Sequence, residues 1–218
     1  VFTMDKILLG DVFIRGGSSS GTHVLEEGRP IGQFYGLVCN GIDENGRYIL
    51  VDKDGDGEIS DPADYDYIGS AQPKLTYGIT NSFRYKNFDL SFFLRGTIGN
   101  DILNATRMAY AQSGFLPGTN ALDDPLTYTL SETPRFSNYY LEKGSFMRLD
   151  NLTLGYKIKA LNGIRVYFTA QNLFVITKYK GLDPEVPMDS GDGLTPGVEP
   201  REFYPKARTF SVGLNLNF

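Results

Sequence analysis

Between Leu75 and Ile98 the chain reads LTYGITNSFRYKNFDLSFFLRGTI, and one alternation runs through both halves of it. Leu75, Tyr77, Ile79, Phe83 and Tyr85 fall on one side of an extended strand, opposite Thr76, Gly78, Thr80, Ser82 and Arg84, with Asn81 the single polar intruder. After Lys86 and Asn87, Phe88, Leu90, Phe92, Leu94 and Ile98 oppose Asp89, Ser91, Arg95 and Thr97, while Phe93 and Gly96 stand outside the pattern. A period of two predicts two-faced strands, and the two intervening residues predict a tight antiparallel turn.

Working outward, the same alternation returns in Asn151–Ile158, in Ile164–Gln171 and in the closing RTFSVGLNLNF, where Phe210, Val212, Leu214, Leu216 and Phe218 share a face. Globular strands usually run about five or six residues. A strand of about eleven rises roughly 36 Å, and a tilt near 45° reduces that to about 25 Å, the height of the apolar band on an outer-membrane barrel. Arg84, Arg95, Lys157 and Arg165 on the opposite face suit a wet interior better than a packed core. Connections alternate between short (Lys86–Asn87; Lys159–Gly163) and long (residues 99–147 and 173–207), the asymmetry of a barrel with short periplasmic turns and long extracellular loops. The expected fold is all-β: antiparallel strands of a transmembrane β-barrel of the outer-membrane kind, with residues 1–218 forming a piece of something longer.

Composition narrows the function. A net charge of −5 gives no basic footprint for nucleic acid, and 13% aromatic residues argue against a disordered tail. No apolar run reaches the roughly 18 residues of a spanning helix, which leaves barrel insertion untouched. Cys39 is the only cysteine, so no intrachain disulfide forms, and it is expected to be a small buried or inert side chain. His23 is the only histidine, set among polar residues and expected at the surface; with it alone, a Ser/His/Asp triad or multi-histidine centre has little to work with, and no enzyme is expected.

The segment 43–74 carries one motif with chemistry. After a strand at Pro30–Val38 and an Asn45–Gly46 turn, DKDGDGEIS places Asp52, Asp54 and Asp56 at alternate positions ahead of Gly57. Alternate carboxylates converge on a hard cation, the carbonyl of Glu58 adds a ligand, and Ser60 ligates directly or through water. The position expected to hold a bidentate Glu is Ala63, so Asp64, displaced by Pro62, is the candidate to close the loop. Two readings stand: a Ca2+ site of extracellular strength, or a solvated Asp/Gly loop. In residues 99–147, Tyr110, Tyr128, Tyr139 and Tyr140 are candidates for contact with a substrate or partner, against ordinary loop packing. Tyr77, Tyr85, Phe88 and Tyr156 near strand ends suit interfacial girdles.

RPIGQFYGLVCNGI, DKDGDGEI, IGSAQPKLTYGITNSFRYKNFDLSFFLRGTIGNDILN, FMRLDNLTLGYKI, VYFTAQNLFVITKYKGLDPEV and YPKARTFSVGLNLNF together resemble the C-terminal barrel region of SusC/RagA-type TonB-dependent outer-membrane receptors. The resemblance implies a 22-stranded barrel closed by an N-terminal plug upstream of Val1 and contact with the TonB complex through that upstream region. It also implies a SusD-like surface lipoprotein as lid, and import of oligosaccharide or peptide fragments. Phe218 matches the terminal aromatic that barrel insertion reads as a signal. Two other functions fit the strands: a passive porin, and a soluble calcium-dependent carbohydrate-binding β domain with Arg84, Arg95 and Arg165 in water outside a packed core.

Overall fold

The computed structural model describes residues 14–15, 21–26, 28–114, 116–118, 120–159, 164–186, 195–201 and 204–216. In chain order the elements are β1 (Ile14–Arg15), β2 (His23–Leu25), β3 (Gln33–Leu37), β4 (Cys39–Ile42), β5 (Tyr48–Leu50), β6 (Tyr65–Ser70), β7 (Leu75–Tyr85), β8 (Phe88–Ile98) and β9 (Asp101–Leu103). There follow helices α1 (Ala105–Tyr110) and α2 (Pro125–Thr129), then β10 (Leu141–Lys143), β11 (Phe146–Ile158), β12 (Ile164–Thr177) and β13 (Thr209–Asn215).

The five long strands form one antiparallel sheet in the order β13-β12-β11-β8-β7. Its register aligns side chains in rows across all five strands. Phe83, Leu90, Leu154, Phe168 and Val212 form one row, and Tyr85, Phe88, Tyr156, Val166 and Leu214 the next. These apolar residues are largely exposed, Val212 to 75% and Phe83 to 54%, so this face has an apolar surroundings to meet rather than a core of its own. On the other face the matching row is Ser82, Ser91, Thr153, Thr169 and Ser211, hydroxyl against hydroxyl across the sheet.

The strands β7 and β8 end where the alternation ended, while β11 and β12 run further. A bulge at Asp150 is the reason: Leu149 pairs with Leu94 and Asn151 with Phe93, leaving Asp150 as the extra residue. Leu149 and Leu152, three apart, therefore share the apolar face, which breaks the period of two that marked the strand. In β12 a matching irregularity falls around Asn172, whose φ is +52°. The long connections are accordingly narrower at their strand ends than residues 99–147 and 173–207.

At the end of the sheet opposite the short turns, two distant stretches share one core. Phe34, Cys39, Tyr48 and Ala71 from the N-terminal part pack with Leu103, Ala111, Leu126, Leu130 and Tyr140 from the connection after β8. Asn104 caps α1 through Arg107 N at 2.8 Å, and Asp124 caps α2 through Leu126 N at 2.9 Å, with Pro125 opening the helix. Asn45 and Gly46 turn between β4 and β5 as expected, with Asp43 Oδ1 accepting from Asn45 N and Arg47 N at 2.8 Å each. Gly46, at φ +77°, approaches so closely that a Cβ there would stand 1.9 Å from Thr129 O. The long connection is thus a folded cap rather than an open loop.

Cys39 is buried, as its composition suggested. His23 is not at the surface: it is fully buried, 2.9 Å from Thr22 Oγ1 and with its ring centroid 4.4 Å from that of Phe34. Its polar neighbours gave no sign that β2 is an inner strand, paired with β3 at Phe34, in the sheet β1-β2-β3-β6.

Candidate functional site

The polar face is where charged chemistry collects. Arg95 on β8 and Arg148 on β11 are direct cross-strand partners, an arrangement of like charges that would repel without a counter-charge between them. Carboxylates from the connection after β12 supply it. Arg95 Nη1 and Nη2 bind Glu185 Oε1 and Oε2 at 2.6 and 2.9 Å, and Nη2 also reaches Asp150 Oδ1 at 3.0 Å. Arg148, only 1% exposed, donates from Nη2 to Asp183 Oδ1 at 2.5 Å and from Nη1 to Asn172 Oδ1. Lys206 Nζ lies 2.5 Å from Glu185 Oε2. Three cations thus face three carboxylates.

Both strand irregularities feed this network. The extra residue of the β11 bulge is Asp150 itself, aimed at Arg95, and Asn172 at the β12 irregularity joins Arg148 to the carbonyl of Lys206 through Nδ2 at 2.6 Å. Burial alone would raise the Glu185 carboxyl, but hydrogen bonds from Arg95 and Lys206 outweigh it and hold the group below the usual carboxylate range. The result is a latch that draws residues 183–185 onto the polar face of the sheet. Arg148 and Asp183 were not singled out from the sequence, because their meaning lies in a pairing 35 residues apart; the only hint was an arginine beside a strand whose polar face already carried Arg95.

Toward the short turns, Arg165 Nε and Nη2 bind Asp89 Oδ1 and Oδ2 at 2.9 and 2.5 Å, and Arg84, Lys86 and Lys157 line the same cavity of about 550 Å³. This end of the polar face is cationic.

The acidic segment forms a compact loop. Carboxylate oxygens of Asp52, Asp54 and Asp64 lie within 4.8 Å of one another. Asp64 is buried and accepts from Ser60 N at 2.7 Å and Lys53 N at 2.6 Å, bonds that hold its pKa below the ordinary aspartate value. Asp52 accepts from Gly55 N and Gly57 N at 2.6 and 2.8 Å. Asp56 and Glu58 stand outside that group of three, Asp56 Oδ1 accepting from Glu58 N at 2.8 Å, and Ser60 enters through its backbone. The chain therefore brings Asp64 beside Asp52 and Asp54, while Asp56 takes part in a local turn.

The aromatic candidates divide sharply. Tyr140 is fully buried, its hydroxyl hydrogen-bonded to that of Tyr48, and burial followed by that bond pushes its phenol well above the usual value. Tyr139 packs edge-on against both Tyr48 and Tyr140, and Tyr110 is half-buried at the end of α1. Tyr128, at 76% exposure, is the one with a free face. Phe218 lies outside the described residues.

No family model matches the chain. It is 34% identical to TonB-dependent receptor P3 of Formosa agariphila across 90% of its length and 23% of that receptor's, and 36% identical to TonB-dependent receptor SusC of Bacteroides thetaiotaomicron across 96% and 21%. Among solved structures, the RagAB peptide importer in its closed-closed state matches with a TM-score of 0.69 and 26% identity over 98% of this chain and 25% of that one. The chain thus spans between a fifth and a quarter of the proteins it matches. Two-faced strands of membrane-spanning length, a cap at one end and these likenesses in sequence and fold converge: the chain belongs to the SusC/RagA-type TonB-dependent receptors and forms part of their outer-membrane β-barrel.

Proposed function

We propose that the receptor containing this chain imports glycan or peptide fragments across the outer membrane, energised through TonB and acting with a SusD-like surface lipoprotein. The observation that carries the reading is the match over nearly the whole chain to SusC in sequence and to a peptide importer in fold. In this reading the polar face lines the lumen, the cap meets the outside, and the latched residues 183–185 lie across the passage between them. The role is transport, not catalysis. Deleting the gene and following uptake of labelled oligosaccharides and oligopeptides tests it: loss of one class of uptake, and its loss again when a protonophore removes the driving force, is the expected result. Uptake that survives the protonophore would favour a passive porin, and unchanged uptake of both classes would end the proposal.

In the same reading Asp52, Asp54 and Asp64 hold a Ca2+ ion, with the Glu58 carbonyl and Ser60 nearby and Asp56 as a further carboxylate. Each carboxylate oxygen that accepts a backbone N–H keeps a second lone pair for a cation, so the loop's own hydrogen bonds leave room for one. Calcium should raise the melting temperature of the purified receptor, and Asp54→Ala with Asp52→Ala should abolish the increment; an unchanged increment excludes the site. Tyr128 is the aromatic best placed to touch cargo or lid, and Tyr110, Tyr139 and Tyr140 support the cap beneath it.

A further inference from the structure

Just below the cap, the membrane-facing side of the sheet is not a smooth apolar wall. The row Tyr77, Gly96, Met147 and Ile176 crosses β7, β8, β11 and β12 there, and Gly96 presents no side chain. A Cβ at that position would stand 2.0 Å from Phe146 O and 2.6 Å from Tyr77 Oη, so glycine is what lets the β11 backbone and the tyrosine hydroxyl close over this point. Tyr77, Ile98 and Ile176 line a groove of about 460 Å³ together with Thr97, Ser145, Phe146 and Thr177, and Lys143 and Lys178 close it on the cap side. Ile98 and Ile176 are 48% and 58% exposed. Lys143 Nζ is held 2.7 Å from Asp101 Oδ1 yet its side chain is 77% exposed, and Lys178, also exposed, has no ion pair among the described residues.

We propose that this groove binds a phosphate-bearing lipid of the outer membrane, the acyl chain lying on Tyr77, Ile98 and Ile176 and the phosphate meeting Lys178 and Lys143. The proposal rests on the assignment of the apolar face to the membrane. Two features of the groove choose the occupant: its floor continues the lipid-facing rows without a break, and its rim adds positive charge to a chain that is acidic on balance. An amphiphile with an apolar tail and an anionic head matches both, whereas a soluble anion matches only the rim. The Ser145 hydroxyl, which accepts from Gly99 N at 2.9 Å, keeps its own hydrogen to donate to a phosphate. Tyr77 supplies an amphipathic ring at the boundary, where such rings settle.

The test uses the full-length receptor in nanodiscs of phosphatidylcholine with and without phosphatidic acid, reading retained lipid by native mass spectrometry and stability by melting. Wild type should retain phosphatidic acid in preference to phosphatidylcholine and melt at a higher temperature with it. Lys178→Gln should weaken retention about fivefold, the usual effect of one lysine at a lipid surface, while Lys178→Arg keeps it. Lys143→Gln should weaken it less, because Asp101 already draws on that charge. Inorganic phosphate at matched concentration should give no increment. Retention by Lys178→Gln equal to wild type overturns the proposal, and so does an increment from inorganic phosphate equal to that from the lipid. Failure of the wild-type receptor to enter nanodiscs at all would instead overturn its placement in the membrane.

Discussion

Arg148 shows how much one buried charge can organise. With 1% of its side chain exposed, it is tolerable because Asp183, itself 5% exposed, stands against it and Glu185 Oε2 lies 3.5 Å from its Nε. Removing Asp183 alone takes away its closest and most buried counter-charge. Asp183→Asn should therefore destabilise the latch by about 3 kcal/mol, in line with broken buried pairs, and expose the segment after Asp183 to protease in the full-length receptor. Replacing the pair together, Arg148→Met with Asp183→Leu, should restore most of the stability without the charge. Asp64 gives a pH prediction of fixed sign. Backbone hydrogen bonds from Ser60 and Lys53 hold its folded-state pKa below the ordinary 3.8, so its contribution is complete above that value and lost as the pH falls through the folded one. Protease cleavage within residues 52–64 should thus appear on acidification below about 4, and Asp64→Asn should cut at neutral pH as well. None of this was readable from single positions: Arg148 sits among alternating residues like any other, and its partner arrives from another connection.

At the scale of elements, legibility followed regularity. The strands β7 and β8 were read to the residue because neither contains a bulge, and every side chain reports its face. The strand β11 was half-read because Asp150 shifts the period by one, and a shift by one moves every later side chain to the other face. Deleting Asp150 should accordingly let β11 pair with β8 without a bulge, while leaving Asn172 and Leu173 of β12 without an opposite residue and removing a carboxylate from Arg95; the expected result is a barrel that keeps its heat-modifiable gel mobility but whose segment 183–185 is cut faster by protease. The cap was not legible as a unit, since Phe34, Tyr48, Leu103 and Leu126 carry no common period and come from two distant stretches. Its weak point is the turn at Gly46. Gly46→Ala requires a positive φ of an L-residue and puts a Cβ into Thr129 O, so it should destabilise the cap by about 2 kcal/mol or more, seen as faster hydrogen exchange in β4, β5 and α2. Exchange unchanged from wild type would show that the cap does not depend on that approach.

For the whole molecule, the sheet leaves β7 and β13 each paired on one side only among the described residues. Open edges and an exposed apolar face are both untenable in lipid and aggregation-prone in water. Expressed by itself without detergent, this chain should precipitate, whereas a monodisperse soluble product would revive the soluble carbohydrate-binding alternative. Partition between barrel and cap also explains the modest 41% hydrophobic content: a wall that alternates needs apolar residues at only every second position. The hydroxyl row from Ser82 to Ser211 then sets a condition on traffic. Serine and threonine offer a moving solute short-lived, interchangeable hydrogen bonds that water replaces at nearly equal energy. If the receptor imports cargo as proposed, such a surface has little memory of what passes over it, so selection is expected to be finished before the wall is reached, and release on the far side to meet no trap along that band.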